Sequence, residues 1–500
     1  MYSACRDGAI HGCFAACDSP VGSGKTTAIM AHLLRQAIAR KARRVFVILP
    51  YTSIIQQSVD VYRNALVLPG ETPEEVVAEL HCRAEFQDAD TRYLTALWRA
   101  PIIVTTAVAF FETMASSRPS VLRRFHELPG SVIFVDEAHN ALPLHLLPLA
   151  WSWMHTLAKE WSCYWMLASG SLVRYWELPQ LMELQTPKTA VSELVPEALR
   201  TELLQYEKGR VCFRCIPDNL SRQELCLRVQ HAPGPRLLIL NTVQSAAVLA
   251  SDLCDTYGRE SVEHLSTALT AEDRAAAIAR IKKRLQKQDD NNWTLVATSC
   301  VEAGVDFSFR TGFRELASLL SLLQAAGRVN RHGAYPEAEI WSFRLKDDSM
   351  LPSNKTLRTQ QDVLQRYFME HITISPELCT KFLNDVITQD DSCLQKTKNL
   401  LREEQNMQFA CVEKTFNVIE TNTVPAVVDE ALTKDIRFGK ADWKTLQKKS
   451  VSIRCGNIQT WSLRELVPGI YQWTLKYDPF LGYMRGVLEV EKAKHGFLNC

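Results

Sequence analysis

Residues 19 to 27 read Ser-Pro-Val-Gly-Ser-Gly-Lys-Thr-Thr, or SPVGSGKTT. Residues 19 to 26 fit the pattern G-x-x-x-x-G-K-[ST], except that Ser19 stands where the pattern has its first glycine. Around Ser23, the glycines Gly22 and Gly24 let the backbone turn its N–H groups toward phosphate oxygens. Lys25 would reach the outer phosphates of a nucleotide, and the Thr26 hydroxyl would hold Mg²⁺. A helix starting there, with Thr27 in its first turn, adds its positive end. Alone, it could still be an ordinary glycine-rich turn.

Two further blocks argue against that alternative. Ser131–Val135 reads as a buried strand and ends in Asp136-Glu137-Ala138-His139. The C-terminal edge of a strand is where an α/β sheet binds ligand. Asp136 would hold Mg²⁺ through its water, Glu137 would orient and deprotonate the attacking water, and His139 closes the block. Far along the chain comes Gln324-Ala325-Ala326-Gly327-Arg328-Val329-Asn330-Arg331. Arginines three apart share one helical face or turn. Opposite a bound triphosphate, Arg328 and Arg331 would stabilise charge on the transferring phosphoryl group, with Gln324 opening their block. By themselves they would only cap a helix end, where cations are favoured.

Around these blocks, short apolar runs alternate with helical patterns, the signature of parallel sheets covered by helices. Val45–Leu49, Ile102–Thr105, Val132–Asp136 and Met166–Ser169 form one set of strands. Leu237–Asn241, Val262–Leu265, Thr294–Ala297 and Ala338–Phe343 form a second, and Pro187 and Pro196 mark the linker between them. The fold class is therefore α/β, with two tandem P-loop-type lobes over residues 1–200 and 201–345. A helical linker or accessory region follows over 346–449, including Thr356–Glu370 and Asp391–Glu404. A small C-terminal domain rich in Trp and Tyr covers 450–500, and its aromatics read as core.

Composition bounds the rest. The chain has 500 residues, 46% hydrophobic and 23% charged, with a net charge of +1, so no overall field points to nucleic acid. No run approaches the roughly 20 apolar residues of a membrane span. Fifteen cysteines scattered among apolar neighbours read as reduced thiols in a cytoplasmic protein. The Cys212-x-x-Cys215 pair has no second pair at a zinc-finger distance. The basic runs Arg40-Lys41-Ala42-Arg43-Arg44 and Lys282-Lys283-Arg284 read as solvated helix faces rather than DNA contacts.

The three blocks together resemble a superfamily 2 helicase of the DEAH-box kind, and further motifs in order extend the resemblance over most of the chain. LPYTSII around Pro50 and Thr52, VTT with Thr105 and Thr106, NTV with Asn241 and Thr242, and TSCVEAGVD from Thr298 to Asp306 each have a counterpart. Within that superfamily, the set VDEAH, EAGVDFSF and QAAGRVNRHG, with the C-terminal Tyr477-Asp478 and Leu481-Gly482, resembles the CRISPR-associated helicase of type I interference systems. The resemblance implies two RecA-like lobes with ATP between them and an ATP-driven motor moving 3′ to 5′. The motor would load on single-stranded DNA displaced by a guide-RNA surveillance complex of the Cascade type. It also implies that Pro50, Thr52, Thr105, Thr106, Asn241, Thr242 and Thr298 meet the nucleic acid, while Gly304 and Asp306 face the nucleotide. Two departures stand out: Ser169-Gly170-Ser171 replaces Ser-Ala-Thr, and Ala325 replaces an arginine.

In that family the helicase commonly follows an HD nuclease domain, which needs a His-Asp pair. None of the twelve histidines here precedes an aspartate, and residues 1 to 18 contain no Gln for an adenine-reading segment. The expectation is a motor without its own nuclease site, relying on a separate HD-type nuclease. Two other readings stay open: an RNA-directed DEAH-box ATPase, and a non-catalytic docking protein with a helicase fold.

Overall fold

The computed structural model describes residues 1–8, 10–20, 23–80, 97–182, 190–287, 289–390, 392–418, 423–440 and 443–498. The chain forms two compact units. Met1–Lys208 and Ser375–Glu420 make the first, Gly209–Ile374 and Thr421–Cys500 the second.

The first unit is built on a parallel sheet of β1 Phe14–Asp18, β2 Val45–Leu49, β3 Val77–Leu80, β4 Ile102–Thr106, β5 Val132–Asp136, β6 Tyr164–Ser169 and β7 Ser192–Glu193. Its order is β3-β4-β2-β5-β6-β1-β7, and every pairing is parallel. Strands β1, β2, β4 and β6 are buried at every position, as expected where helices cover both faces. The polar positions gather at the C-terminal ends of the strands. Asp18, Thr105–Thr106, Asp136 and Ser169 therefore share one edge of the sheet.

The second unit has its own parallel sheet: β8 Cys212–Cys215, β9 Arg236–Ile239, β10 Val262–Leu265, β11 Thr294–Ala297, β12 Thr311–Glu315 and β13 Glu339–Phe343. Its order is β10-β11-β9-β12-β13-β8. Cys212 and Cys215 lie three apart on β8, so their side chains leave opposite faces of the strand. A smaller sheet follows from β14 Thr423–Val427, β15 Ser450–Arg454, β16 Arg464–Val467 and β17 Ile470–Gln472, in the order β15-β14-β17-β16.

This small sheet shares a core with the second lobe. Trp473, Tyr483, Met484 and Leu488 pack with Leu249 and Leu253 of the helix Val243–Tyr257. Trp461, Trp473 and Tyr483 lie within 5.8 Å of one another by ring centroid, so the C-terminal aromatics are core. At Gly482, with φ +64°, an added Cβ would come within 2.2 Å of Ala268 O, so only glycine lets this segment dock.

The domain boundaries differ from the sequence expectation. The helix Glu197–Lys208 belongs to the first unit, which moves the first boundary to 208. Residues 346–449 are not one region. Residues 375–420 return to the first unit, where Trp153 Nε1 donates to Glu404 at 2.8 Å. There Glu413 also accepts from Ser116 Oγ at 2.8 Å and pairs with Arg118 at 2.8 Å. From Thr423 the chain already builds the C-terminal sheet.

Candidate active site

The site of the first unit grows from the ends of β1, β5 and β6. Strand β1 delivers the chain to Ser19, whose N–H donates to Ser169 O at 3.4 Å. Ser23 Oγ donates to Pro20 O at 2.8 Å. Gly24 then caps the helix Lys25–Arg40 with φ 77° and ψ 21°. An added Cβ there would meet nothing within 4 Å, so the requirement is the left-handed backbone rather than space. Gly22 lies outside the described residues. Thr26 and Thr27 are exposed on the first turn of the helix.

Lys25 Nζ lies 3.4 Å from Glu137 Oε1 and 3.8 Å from Asp136 Oδ1, with its side chain 12% exposed. Burial works against the ammonium, but the Glu137 and Asp136 carboxylates outweigh it and hold Lys25 above the usual lysine range. The two carboxylates diverge. Burial pushes Asp136 up and Lys25 offsets only part of that. Burial also acts on Glu137, yet Lys25, His139 and the Ser169 hydroxyl overcome it and draw Glu137 below the usual range.

Glu137 itself sits at φ 45° and ψ 49°, a left-handed conformation that costs a non-glycine residue about 1–2 kcal/mol. Its N–H donates to Asp136 Oδ1 at 3.0 Å. Strain of this kind persists where the surroundings over-determine it. Here it is held by partners on both carboxylate oxygens of Glu137.

Ser169, at the end of β6, is one of those partners. Its hydroxyl donates to Glu137 Oε2 at 2.8 Å and accepts from Ser171 N at 3.0 Å. The same oxygen lies 2.7 Å from His139 Nδ1. A hydroxyl has one hydrogen, and it is spent on Glu137, so Nδ1 must be the protonated nitrogen of His139 and donate. Burial pushes the His139 pKa down to about 4, which keeps the ring neutral at neutral pH. The sequence marks Ser169 as the first residue of Ser169-Gly170-Ser171, where the family has Ser-Ala-Thr, but not as a partner of Glu137; the further signal is a hydroxyl ending the strand beside Asp136, whose register partner is Ala168. Ser169→Ala should leave His139 Nδ1 and Glu137 Oε2, 3.5 Å apart, without their bridge. The expected loss is about 1–3 kcal/mol of stability together with slower phosphate release, read by thermal unfolding and steady-state turnover.

In the second unit the two arginines part. Arg328 is 8% exposed and turns inward, its Nε donating to Val301 O at 3.0 Å and Nη2 to Glu302 O at 2.8 Å. It therefore holds the loop Thr298–Asp306, and the two arginines do not make matching contacts. Arg331 is half-buried, pairs through Nε with Asp306 Oδ1 at 2.7 Å, and has no hydrogen bond at Nη1 among the described residues. Gly304 has φ +79° in the same loop. Gln324 is half-buried, and Ala325 is fully buried, so the alanine faces the core.

Most residues expected to meet nucleic acid spend their side chains inside the fold. Thr105 is fully buried and donates to Leu80 O at 2.9 Å. Thr106 caps the helix Ala107–Ala115 by accepting from Ala109 N, and Thr242 caps Val243–Tyr257 through Ser245 N. Asn241 donates to Leu316 O at 2.8 Å and accepts from Arg314 at 2.6 Å. Thr298 is 7% exposed and Pro50 is buried. Thr52 opens the helix Thr52–Leu66, and its side chain lies outside the described residues. What these motifs can present is therefore mainly backbone N–H at strand ends and helix starts.

Comparisons with known proteins agree with this architecture. The family model for the DEAD/DEAH box helicase matches residues 6–150, and that for the C-terminal part of the CRISPR-associated nuclease/helicase Cas3 matches residues 233–334. The CRISPR-associated nuclease/helicase Cas3 of Haloferax volcanii is 24% identical over 415 residues, covering 62% of this chain and 44% of that protein. The protein of the same name from Methanothermobacter thermautotrophicus is 28% identical over 137 residues, 26% of this chain and 16% of its own length. The chain thus matches less than half the length of either relative. The crystal structure of T. fusca Cas3 with ATP superposes with a TM-score of 0.66 at 18% identity, over 92% of this chain and 66% of that one. A chain of a CRISPR RNA-guided surveillance complex before nicking superposes with a TM-score of 0.58 at 15% identity, over 94% of this chain and 68% of that one. A DEAD/DEAH-box helicase model thus matches within the first unit and a Cas3 C-terminal model within the second, and the chain is similar in sequence and fold to the Cas3-like helicases of superfamily 2.

Proposed function

We propose that this chain is an ATP-dependent motor that moves 3′ to 5′ along single-stranded DNA and unwinds target DNA in CRISPR type I interference. The observation that carries the reading is one ammonium, Lys25, held between Asp136 and Glu137 at the start of a helix. That donor set fits a nucleotide with Mg²⁺: a cation and helix N–H groups for phosphate, and a hydroxyl and a carboxylate for the metal. Thr26 and Asp136 would hold Mg²⁺, which would neutralise charge on the phosphates when bound. Lys25 would exchange its carboxylate partners for phosphate oxygens. That exchange frees Glu137 Oε1 to take a proton from the attacking water, while Ser169 keeps Oε2 fixed. Arg331 would stabilise charge on the transferring group.

DNA cleavage would then be the work of a nuclease centre outside these 500 residues, and the partner would be a guide-RNA surveillance complex. Among the described residues, no helix is long and apolar enough to cross a membrane, and the proposed location is the cytoplasm. The test is ATP turnover with and without single-stranded DNA, compared with matched RNA. We expect stimulation by DNA above RNA, and Lys25→Ala should lose ATP binding and turnover together. Turnover stimulated by RNA alone would point to an RNA-directed ATPase, and no turnover under any condition would point to a docking protein.

A further inference from the structure

A buried guanidinium in the second unit reaches two loops at the C-terminal edge of its sheet. Arg314 is the second-to-last residue of β12 and is 3% exposed. Strand β9 lies between β11 and β12, so the loops that follow β9 and β11 leave neighbouring strands. The first loop carries Asn241 and Thr242, which the resemblance assigns to nucleic acid. The second, Thr298–Asp306, ends in Gly304 and Asp306, which the resemblance assigns to the nucleotide. Arg314 Nη1 donates to Asn241 Oδ1 at 2.6 Å and to Glu315 O at 2.8 Å, and its Nε pairs with Glu302 Oε1 at 2.8 Å. A side chain of β12 thereby reaches past β9 to grip the loop beyond it.

Each end of this link is fastened again. Glu302 O accepts from Arg328 Nη2 at 2.8 Å, so Glu302 is held through both its carbonyl and its carboxylate. Asn241 N donates to Glu315 Oε2 at 2.7 Å, and its Nδ2 donates to Leu316 O at 2.8 Å. Burial pushes the Glu302 and Glu315 carboxyls up, and Arg314 offsets part of that in both. The centre is closed while its outlets are open: Asn241 is half-buried, and the Asp306 side chain is 55% exposed. A planar guanidinium fixes two acceptors relative to each other, which a single ammonium on a flexible stem does not. Displacing Asn241 therefore displaces the group that holds Glu302. A shared contact becomes coupling only when a change at one end is felt at the other.

We propose that Arg314 is a positioning residue that couples the Asn241 loop to the loop Thr298–Asp306, so that nucleic acid at the first regulates ATP turnover through the second. The link to turnover rests on the proposed motor function; the coupling between the loops does not. Amide hydrogen exchange of the full chain, without nucleotide or DNA, tests that coupling by itself. Asn241→Ala removes the Oδ1 acceptor and keeps both Arg314 and Glu302. Exchange across residues 299–306 should nevertheless quicken about tenfold or more, the size expected when a charge-assisted hydrogen bond is lost. Arg314→Lys keeps the charge without the fork and should give a similar acceleration, and the double variant should give little more than either. Unchanged exchange at 299–306 in Asn241→Ala, or fully additive effects in the double variant, would overturn the proposal. Acceleration spread evenly over β9–β13 would make Arg314 a general structural residue and overturn it as well. ATP turnover with and without single-stranded DNA then tests the regulation: Arg314→Lys should lower the stimulation ratio about fivefold or more. An unchanged ratio beside quickened exchange would overturn that regulatory link. A failed motor reading would show instead as no stimulation in the parent chain, with hydrogen exchange still deciding the coupling.

Discussion

Glu137→Gln is expected to slow ATP hydrolysis by about 10²- to 10⁴-fold while leaving ATP binding within a few-fold of the parent, because on the proposed mechanism it removes the base and little else. The geometry makes this substitution unusually clean. Glutamine keeps the length of the side chain, and its amide oxygen can still accept from Ser169 Oγ, as Glu137 Oε2 does at 2.8 Å. The left-handed backbone at φ 45° is no worse for Gln than for Glu. What disappears is the negative charge facing Lys25 at 3.4 Å. Lys25 then has one carboxylate to leave instead of two when phosphate arrives, so affinity should hold or rise slightly. Single-turnover hydrolysis and equilibrium binding of a labelled nucleotide measure the two effects separately. Wild-type turnover in the variant would move the base elsewhere.

The sequence reading and the folded chain agree best where a residue's chemistry is local. SPVGSGKTT and Asp136-Glu137 need only a strand end and a helix start, and the apolar runs Val45–Leu49 and Val132–Asp136 are strands with those same bounds. Strand β1, FAACD, escaped notice because Ala and Cys carry little of the β-branched signal that marks a strand. Long-range partnerships were not legible at all. The amphipathic helix Ser392–Gln405 shows which face is apolar, but nothing in its period says that Glu404 will meet Trp153, 251 residues away. The same limit applies to Thr105 and Asn241. Their motifs identify loops at the active edge of a sheet, whereas only the packing shows that the side chains are spent on Leu80 O and Leu316 O.

That limit matters most for Arg328 and Arg331, which look interchangeable as text and are expected to behave as opposites. Arg328→Ala removes two charge-assisted donors from the carbonyls of Val301 and Glu302 in a buried setting. The cost should be about 2–5 kcal/mol, seen as a melting temperature several degrees lower, with lost turnover following from a loosened Thr298–Asp306 loop. Arg331→Ala gives up an ion pair with Asp306, whose side chain is 55% exposed, and such a pair is worth about 0–1 kcal/mol. Its melting temperature should therefore stay close to that of the parent. If Arg331 is the residue that meets charge on the transferring phosphoryl group, turnover should nevertheless fall by about 10³-fold or more, with ATP affinity nearly kept. Thermal unfolding and turnover measured on both variants separate the roles. A stable Arg328→Ala protein without turnover, beside an active Arg331→Ala, would assign the finger to Arg328 and require its guanidinium to leave the two carbonyls during the cycle. Loss of turnover without loss of stability at Arg331 alone would fix the division of labour as clamp and finger.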